Sequence, residues 1–296
     1  MVDTLNTAFR DQIKRALSLS KVPTVITEEN VYQEGDANIL PLLDEMVESL
    51  ILPGSGIDGL ENLEELFSKA EAGKSCLLLV EHYSNLDLSI LSTLLRKAGG
   101  RGKEIDESII AVAGMKLNED NPVVAAFAGA YTRIVIYPSR SLQHLNPENE
   151  KDKAEIARGN AINQAAMKML IRLKYKRRLV LVFPSGTRYR SWDPETKRGI
   201  REIDAYIRSF DYLCFVALNG EILHVQKTDM LNDAVGKDIV RVTAGQVISC
   251  SEFRDKVRAA TSENDDKKQA VADEIMKELE KLHLAAEEKR LKLLEN

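Results

Sequence analysis

The sequence predicts an α/β fold: a mixed, mostly parallel central sheet flanked by helices, with an N-terminal helical subdomain and a long C-terminal helix. Three observations lead there. After Gly73, short apolar runs alternate with segments of helical spacing; before it the spacing is helical; and residues 264–295 are highly charged with a single apolar stripe. The expected boundaries are 1–72 for the helical subdomain and 73–296 for the α/β domain, which includes the C-terminal helix 264–295.

In the first segment, Leu5, Phe9, Ile13 and Leu17 lie at helical spacing until Pro23 stops the pattern. A second helix spans 39–51, with Ile39, Leu42, Leu43, Met46 and Leu50, and ends at Pro53-Gly54. A third, over 59–71, carries Leu60, Leu63 and Leu66. None of these offers chemistry, so their expected role is to cover part of the main domain. Strands are expected at Cys76–Val80, Ile109–Ala113, Ile134–Tyr137, Leu179–Phe183, Leu213–Leu218, Ile222–Val225 and Asp238–Thr243, with helices at 86–97, 121–129, 152–175, 199–209 and 251–260. Asn219-Gly220, between two apolar runs, signals a hairpin. In the last helix Val271, Ile275, Leu279, Leu282 and Ala286 form a stripe suited to packing on the domain or on a partner helix.

Composition narrows the function classes. With 46 acids against 41 bases the chain is not a general nucleic-acid binder, but its charge is uneven. Residues 1–70 hold 13 acids and 5 bases, whereas 168–208 hold 12 bases and 4 acids, a reversal that suggests an anion site. The basic stretch Lys168 to Arg178 could meet an acidic carrier protein or anionic headgroups, or could be a solvated helix face. Cys76, Cys214 and Cys250 are far apart and two lie in apolar runs, so free thiols and a cytoplasmic setting are expected. The start Met-Val-Asp-Thr-Leu-Asn lacks the marks of a signal peptide, and no window approaches the roughly 20 apolar residues of a membrane span. Membrane contact, on this reading, is peripheral.

Chemistry concentrates at three strand ends. In the first, His82 and Asp87 flank a turn between the strand Cys76–Val80 and the next helix, so imidazole and carboxylate can meet as a general-base pair. The alternative is that Asn85 is an N-cap and Asp87 merely complements the helix dipole. In the second, Phe183-Pro-Ser-Gly-Thr-Arg-Tyr-Arg190, a tight turn built from Ser185, Gly186 and Thr187 presents Arg188 and Arg190, whose planar cations suit a phosphate. In the third, the strand Ile134–Tyr137 runs through Pro138 into Ser139 and Arg140.

Together the three blocks resemble the glycerolipid acyltransferases with a His-x4-Asp motif. His82-Tyr-Ser-Asn-Leu-Asp87 matches their first motif, Ile134 to Arg140 is similar to the second, and Phe183 to Arg188 is similar to the Phe-Pro-Glu-Gly-Thr-Arg block. The soluble, plastid-type glycerol-3-phosphate acyltransferases look most alike, with Pro-Ser-Gly-Gly-Arg-x-Arg-x-x-Asp-Pro against Pro184 to Pro194 here. That resemblance implies a glycerol-3-phosphate 1-O-acyltransferase of phospholipid biosynthesis. His82 and Asp87 would be catalytic, and Arg188, Arg190, Arg140 and Ser139 would hold the substrate phosphate. The acyl donor would be acyl-CoA or acyl carrier protein, with neither cofactor nor metal. The expected location is the cytoplasm, at the inner face of the membrane, or the stroma for a plant protein. The same groups suit 1-acylglycerol 3-phosphate as the acceptor. A serine hydrolase using Ser185 ranks lower for want of a Gly-x-Ser-x-Gly frame. A non-catalytic lipid or carrier-protein binding module is kept open by Glu81, which replaces the usual Asn before the histidine. Pointing inward, Glu81 would raise the proton affinity of His82; pointing outward, it would have no effect.

Overall fold

The computed structural model describes residues 3–119, 121–142 and 144–295. In chain order its strands are β1 (Tyr32–Gln33), β2 (Gly56–Asp58), β3 (Cys76–Val80), β4 (Ile109–Gly114), β5 (Arg133–Ile136), β6 (Leu179–Val182), β7 (Tyr212–Asn219), β8 (Leu223–His224), β9 (Ala234–Val235), β10 (Arg241–Ala244) and β11 (Ile248–Ser249). The main sheet runs β1-β5-β4-β6-β3-β7-β10-β2, with β11 also on β7. Five neighbours, β5, β4, β6, β3 and β7, are mutually parallel. β1 and β10 join antiparallel at the two ends.

The parallel centre follows from composition. All five residues of β3 are at most 1% exposed, because a strand with helices on both faces must be apolar on both. Cys76, Leu78 and Val80 face one core, shared with the helices Leu40–Leu50, Leu60–Glu71 and Asp87–Lys97. Leu77 and Leu79 face the other, shared with Glu150–Leu173, Ile203–Ser209 and Lys267–Leu294. Each large side chain so buried contributes about 1.5–3 kcal/mol, and a one-residue slip would exchange the two sets, so the register is strongly specified.

The first 72 residues are mainly helical, and they also lend β1 and β2 to the sheet. The helix expected from Leu5, Phe9, Ile13 and Leu17 is two helices, Leu5–Ala8 and Arg10–Leu19, broken at Phe9. The Asn219-Gly220 hairpin is corrected: Gly220 turns with φ 89°, but the antiparallel partners of β7 are β10 and β11, while β8 leaves the sheet to pair with β9. In the C-terminal helix Val271, Ile275, Leu279 and Ala286 are buried, and the stripe packs on the domain. Lys168 to Arg178 leads into the N-terminal end of β6, so a partner docked there would sit at the sheet edge opposite the three candidate turns. Among the described residues no helix is long and apolar enough to cross a membrane.

Candidate active site

β3 ends at Val80, and the Glu81 backbone N–H continues the pairing to Val216 O, which holds the following turn against β7. Beyond it, His82 Nδ1 lies 2.9 Å from Asp87 Oδ2. Asp87 is the first residue of the helix Asp87–Lys97, whose N-cap position is Leu86 rather than Asn85; the Asn85 amide instead meets the Met230 sulfur. The Asp87 carboxylate is turned back into the loop, accepting from Tyr83 N at 2.6 Å, Ser84 N at 2.9 Å and Ser84 Oγ at 2.7 Å. It is 3% exposed, and these fixed donors orient it toward the imidazole. The His82 ring stacks on Phe183, centroids 4.0 Å apart and planes 16° from parallel. With Nδ1 engaged and one face covered, Nε2 has no partner among the described residues.

The Phe183 block is built by a turn in which Gly186 N–H donates to Phe183 O at 2.9 Å. Gly186 has φ 64°, a left-handed conformation that favours glycine, and a Cβ there would press on the Ile200 side chain at 3.2 Å. Ser185 is buried and its Oγ donates to Thr187 O at 2.7 Å, tying the turn together. The chain then passes under the histidine: Tyr189 N–H donates to His82 O at 2.8 Å. That bond brings the backbone of the Arg188–Arg190 segment against the backbone of the His82 turn. Arg190 has its backbone N–H on Thr196 Oγ1, and among the described residues its guanidinium has no acidic partner.

Arg188 is held by a residue that sequence reasoning missed. Its Nη1 donates to Asp233 Oδ2 at 2.8 Å, and Asp233 is fully buried. Burial pushes the Asp233 carboxyl above its ordinary range, against the opposing pull of the Gln226 N–H and Arg188. Asp233 sits just before β9, where Leu5 N–H donates to its carbonyl and Thr4 bridges Ala234. Nothing local in the sequence marks this pairing, which joins residues 45 apart.

Two other expectations need adjusting. Ser139 and Arg140 begin the short helix Ser139–Leu142 after β5, with Arg140 exposed. β5 is separated from β3 by β4 and β6, so at about 4.8 Å per strand these residues start roughly 14 Å from the His82 turn. The structure brings neither into contact with His82. Glu81 takes neither predicted course. It is 5% exposed, accepts from Tyr83 OH at 3.0 Å and Leu218 N at 2.9 Å, and meets His283 of the C-terminal helix.

A buried-acid-oriented imidazole with an open second nitrogen, on a turn joined to an arginine-bearing turn at the C-terminal ends of parallel strands, can take a proton from a hydroxyl on an anionic substrate. The family model for acyltransferases matches residues 56–232, which contain both turns. The chain belongs to the Acyltransferase family. Among solved structures, this acyltransferase is similar to the 1-acyl-sn-glycerophosphate (LPA) acyltransferase PlsC from Thermotoga maritima, with 11% identity over 83% of this chain and 80% of that one and a TM-score of 0.43. No curated protein matches it in sequence. Within this acyltransferase the family match includes His82, Asp87, Arg140, Arg188 and Arg190, while Asp233 and His283 lie beyond it.

Proposed function

We propose that this acyltransferase transfers a fatty acyl group from an acyl thioester, acyl-CoA or acyl carrier protein, to the 1-hydroxyl of glycerol 3-phosphate in phospholipid biosynthesis. The observation that supports the reading is the 2.8 Å bond from Tyr189 N–H to His82 O, which joins the turn carrying Arg188 and Arg190 to the turn carrying the Asp87-held imidazole. A phosphate ester with a hydroxyl two carbons away suits that arrangement of cations and base.

In the reaction, Arg188 and Arg190 bind the phosphate through charge-assisted hydrogen bonds. His82 Nε2 accepts the hydroxyl proton as the oxygen attacks the thioester carbonyl carbon. Asp87 holds Nδ1–H and stabilises the imidazolium. Collapse of the tetrahedral intermediate breaks the C–S bond, and the imidazolium returns its proton to the leaving thiolate. Arg140 and Ser139, farther along the sheet edge, are left to a part of the substrate that reaches across the strands. Direct transfer is favoured over an acyl-enzyme because Ser185 Oγ is spent on Thr187 O. The acceptor is water-soluble, so the reading needs no membrane span; the lipid product would leave toward the inner membrane face.

An acceptor competition tests this: glycerol 3-phosphate against its 1-acyl form, each with acyl-CoA and acyl carrier protein. Preferential consumption of glycerol 3-phosphate is expected. Acylation of the 1-acyl form alone would overturn the acceptor and leave the base in place, and turnover of neither would overturn the reading.

A further inference from the structure

The C-terminal helix does more than cover β7, because it brings a second imidazole to the back of the His82 turn. His283 Nδ1 lies 2.9 Å from Glu81 Oε2, across 202 residues of chain. The same carboxylate accepts from Tyr83 OH at 3.0 Å and from Leu218 N–H at 2.9 Å, so one side chain ties together the turn, the end of β7 and the C-terminal helix. Tyr83 OH is also 3.4 Å from His283 Nδ1. Since the hydroxyl proton goes to Glu81, the imidazole must supply its own Nδ1–H to the other carboxylate oxygen.

A carboxylate this deeply buried is costly unless a cation faces it. Tyr83 and Leu218 are neutral donors, and Lys197, on the adjoining segment, is paired with Glu280. The cation available to Glu81 is therefore His283 in its protonated form. The surroundings favour that form: burial alone would pull His283 down, but the hydrogen bond and charge of Glu81, helped by Glu287 and opposed by Lys197, hold it above its ordinary value. From β7, Asn219 Nδ2 adds bonds to His283 O and Glu287 Oε2 that fix this turn of the helix in place.

We propose that His283 is a positioning residue: its charged pair with Glu81 clamps the C-terminal helix onto the turn that carries His82, so that acyl transfer depends on a second histidine that never touches substrate. The proposal rests on the reading of His82 as the base. His283 must be charged to hold the clamp, so activity is lost on the alkaline side as His283 gives up its proton.

The test combines three readouts on full-length protein: NMR titration of the histidines, kcat against pH, and backbone hydrogen exchange of residues 81–86 corrected for the intrinsic pH dependence of exchange. In the wild type His283 is expected to titrate above an ordinary histidine, and Glu81→Gln to bring it down. As the wild type passes that titration, kcat should fall and exchange in the turn should rise at least about fivefold. His283→Gln, which keeps a donor but not the charge, should have lower kcat on the acidic side and show neither step. A wild-type His283 titrating at or below the ordinary value overturns the clamp even if the variants do not fold. So do kcat and exchange profiles in His283→Gln that keep the wild-type steps. Full activity in His82→Ala would overturn the base assignment instead, and the titration and exchange results would still decide the clamp.

Discussion

Arg188 and Asp233 form a paired guanidinium and carboxylate, Nη1 to Oδ2 2.8 Å, with the arginine side chain 12% and the aspartate 0% exposed. The bond fixes the direction of the guanidinium. It also anchors the β8–β9 excursion to the turn beside the base.

Removing one partner of a buried pair strands the other charge. Asp233→Ala should therefore lower stability by about 3–5 kcal/mol, read from urea unfolding. The gentler Asp233→Asn should raise KM for glycerol 3-phosphate by about tenfold, roughly 1.4 kcal/mol of lost orientation, with a smaller change in kcat. An unchanged unfolding midpoint for the alanine variant would contradict the structural half of this account.

The three arginines should not respond alike. Loss of a hydrogen bond to a charged group costs about 1.5–3 kcal/mol, so Arg188→Ala and Arg190→Ala should each raise KM for the phosphate acceptor by about 10- to 100-fold. Arg140→Ala, three strands from the base, should change it by less than about threefold. Equal losses at all three positions would contradict this ranking and show that Arg140 holds the phosphate as well.

How far the sequence reveals the site depends on distance along the chain. His82 and Asp87 are legible because a strand end and a helix start bring them together within five positions, and Gly186 announces the turn that aims Arg188. Asp233 and His283 are not, since each reaches its partner only through the folded sheet. The same holds for the fold. β3, β6 and β7 are continuous apolar runs that announce buried parallel strands. β1 and β2, of two and three residues, have no periodicity to read and exist because β5 and β10 offer them an edge. Gly220 marks a turn, but a turn residue does not say which later strand returns to β7.

The cysteines should be inert in the folded protein. Cys76, Cys214 and Cys250 are all at 0% exposure, and burial pushes the thiols of Cys76 and Cys214 up to about 12 and that of Cys250 higher still. Thiolate is the reactive form, so a small disulfide reagent at mildly alkaline pH should label none of them until denaturant is added. Rapid stoichiometric labelling of native protein would contradict this packing.

Stability should also report on His283. Its folded-state proton affinity is raised, so the stabilisation from the Glu81 pair is fully present below the ordinary histidine pKa and is lost as pH rises through the higher folded value. Thermal unfolding of the wild type should show a fall across that window which His283→Gln lacks, after correction for the pH response common to both. Identical profiles would show that the pair adds no proton-linked stability.

The central claim is that His82, oriented by Asp87 at 2.9 Å, takes the proton from the acceptor hydroxyl. Its most direct measurement is the steady-state rate of glycerol 3-phosphate acylation by purified His82→Ala. General-base catalysis contributes about 100- to 10,000-fold, so kcat should fall by at least about 100-fold with KM for glycerol 3-phosphate within about threefold of wild type. A folded His82→Ala protein acylating glycerol 3-phosphate at the wild-type rate would contradict the account.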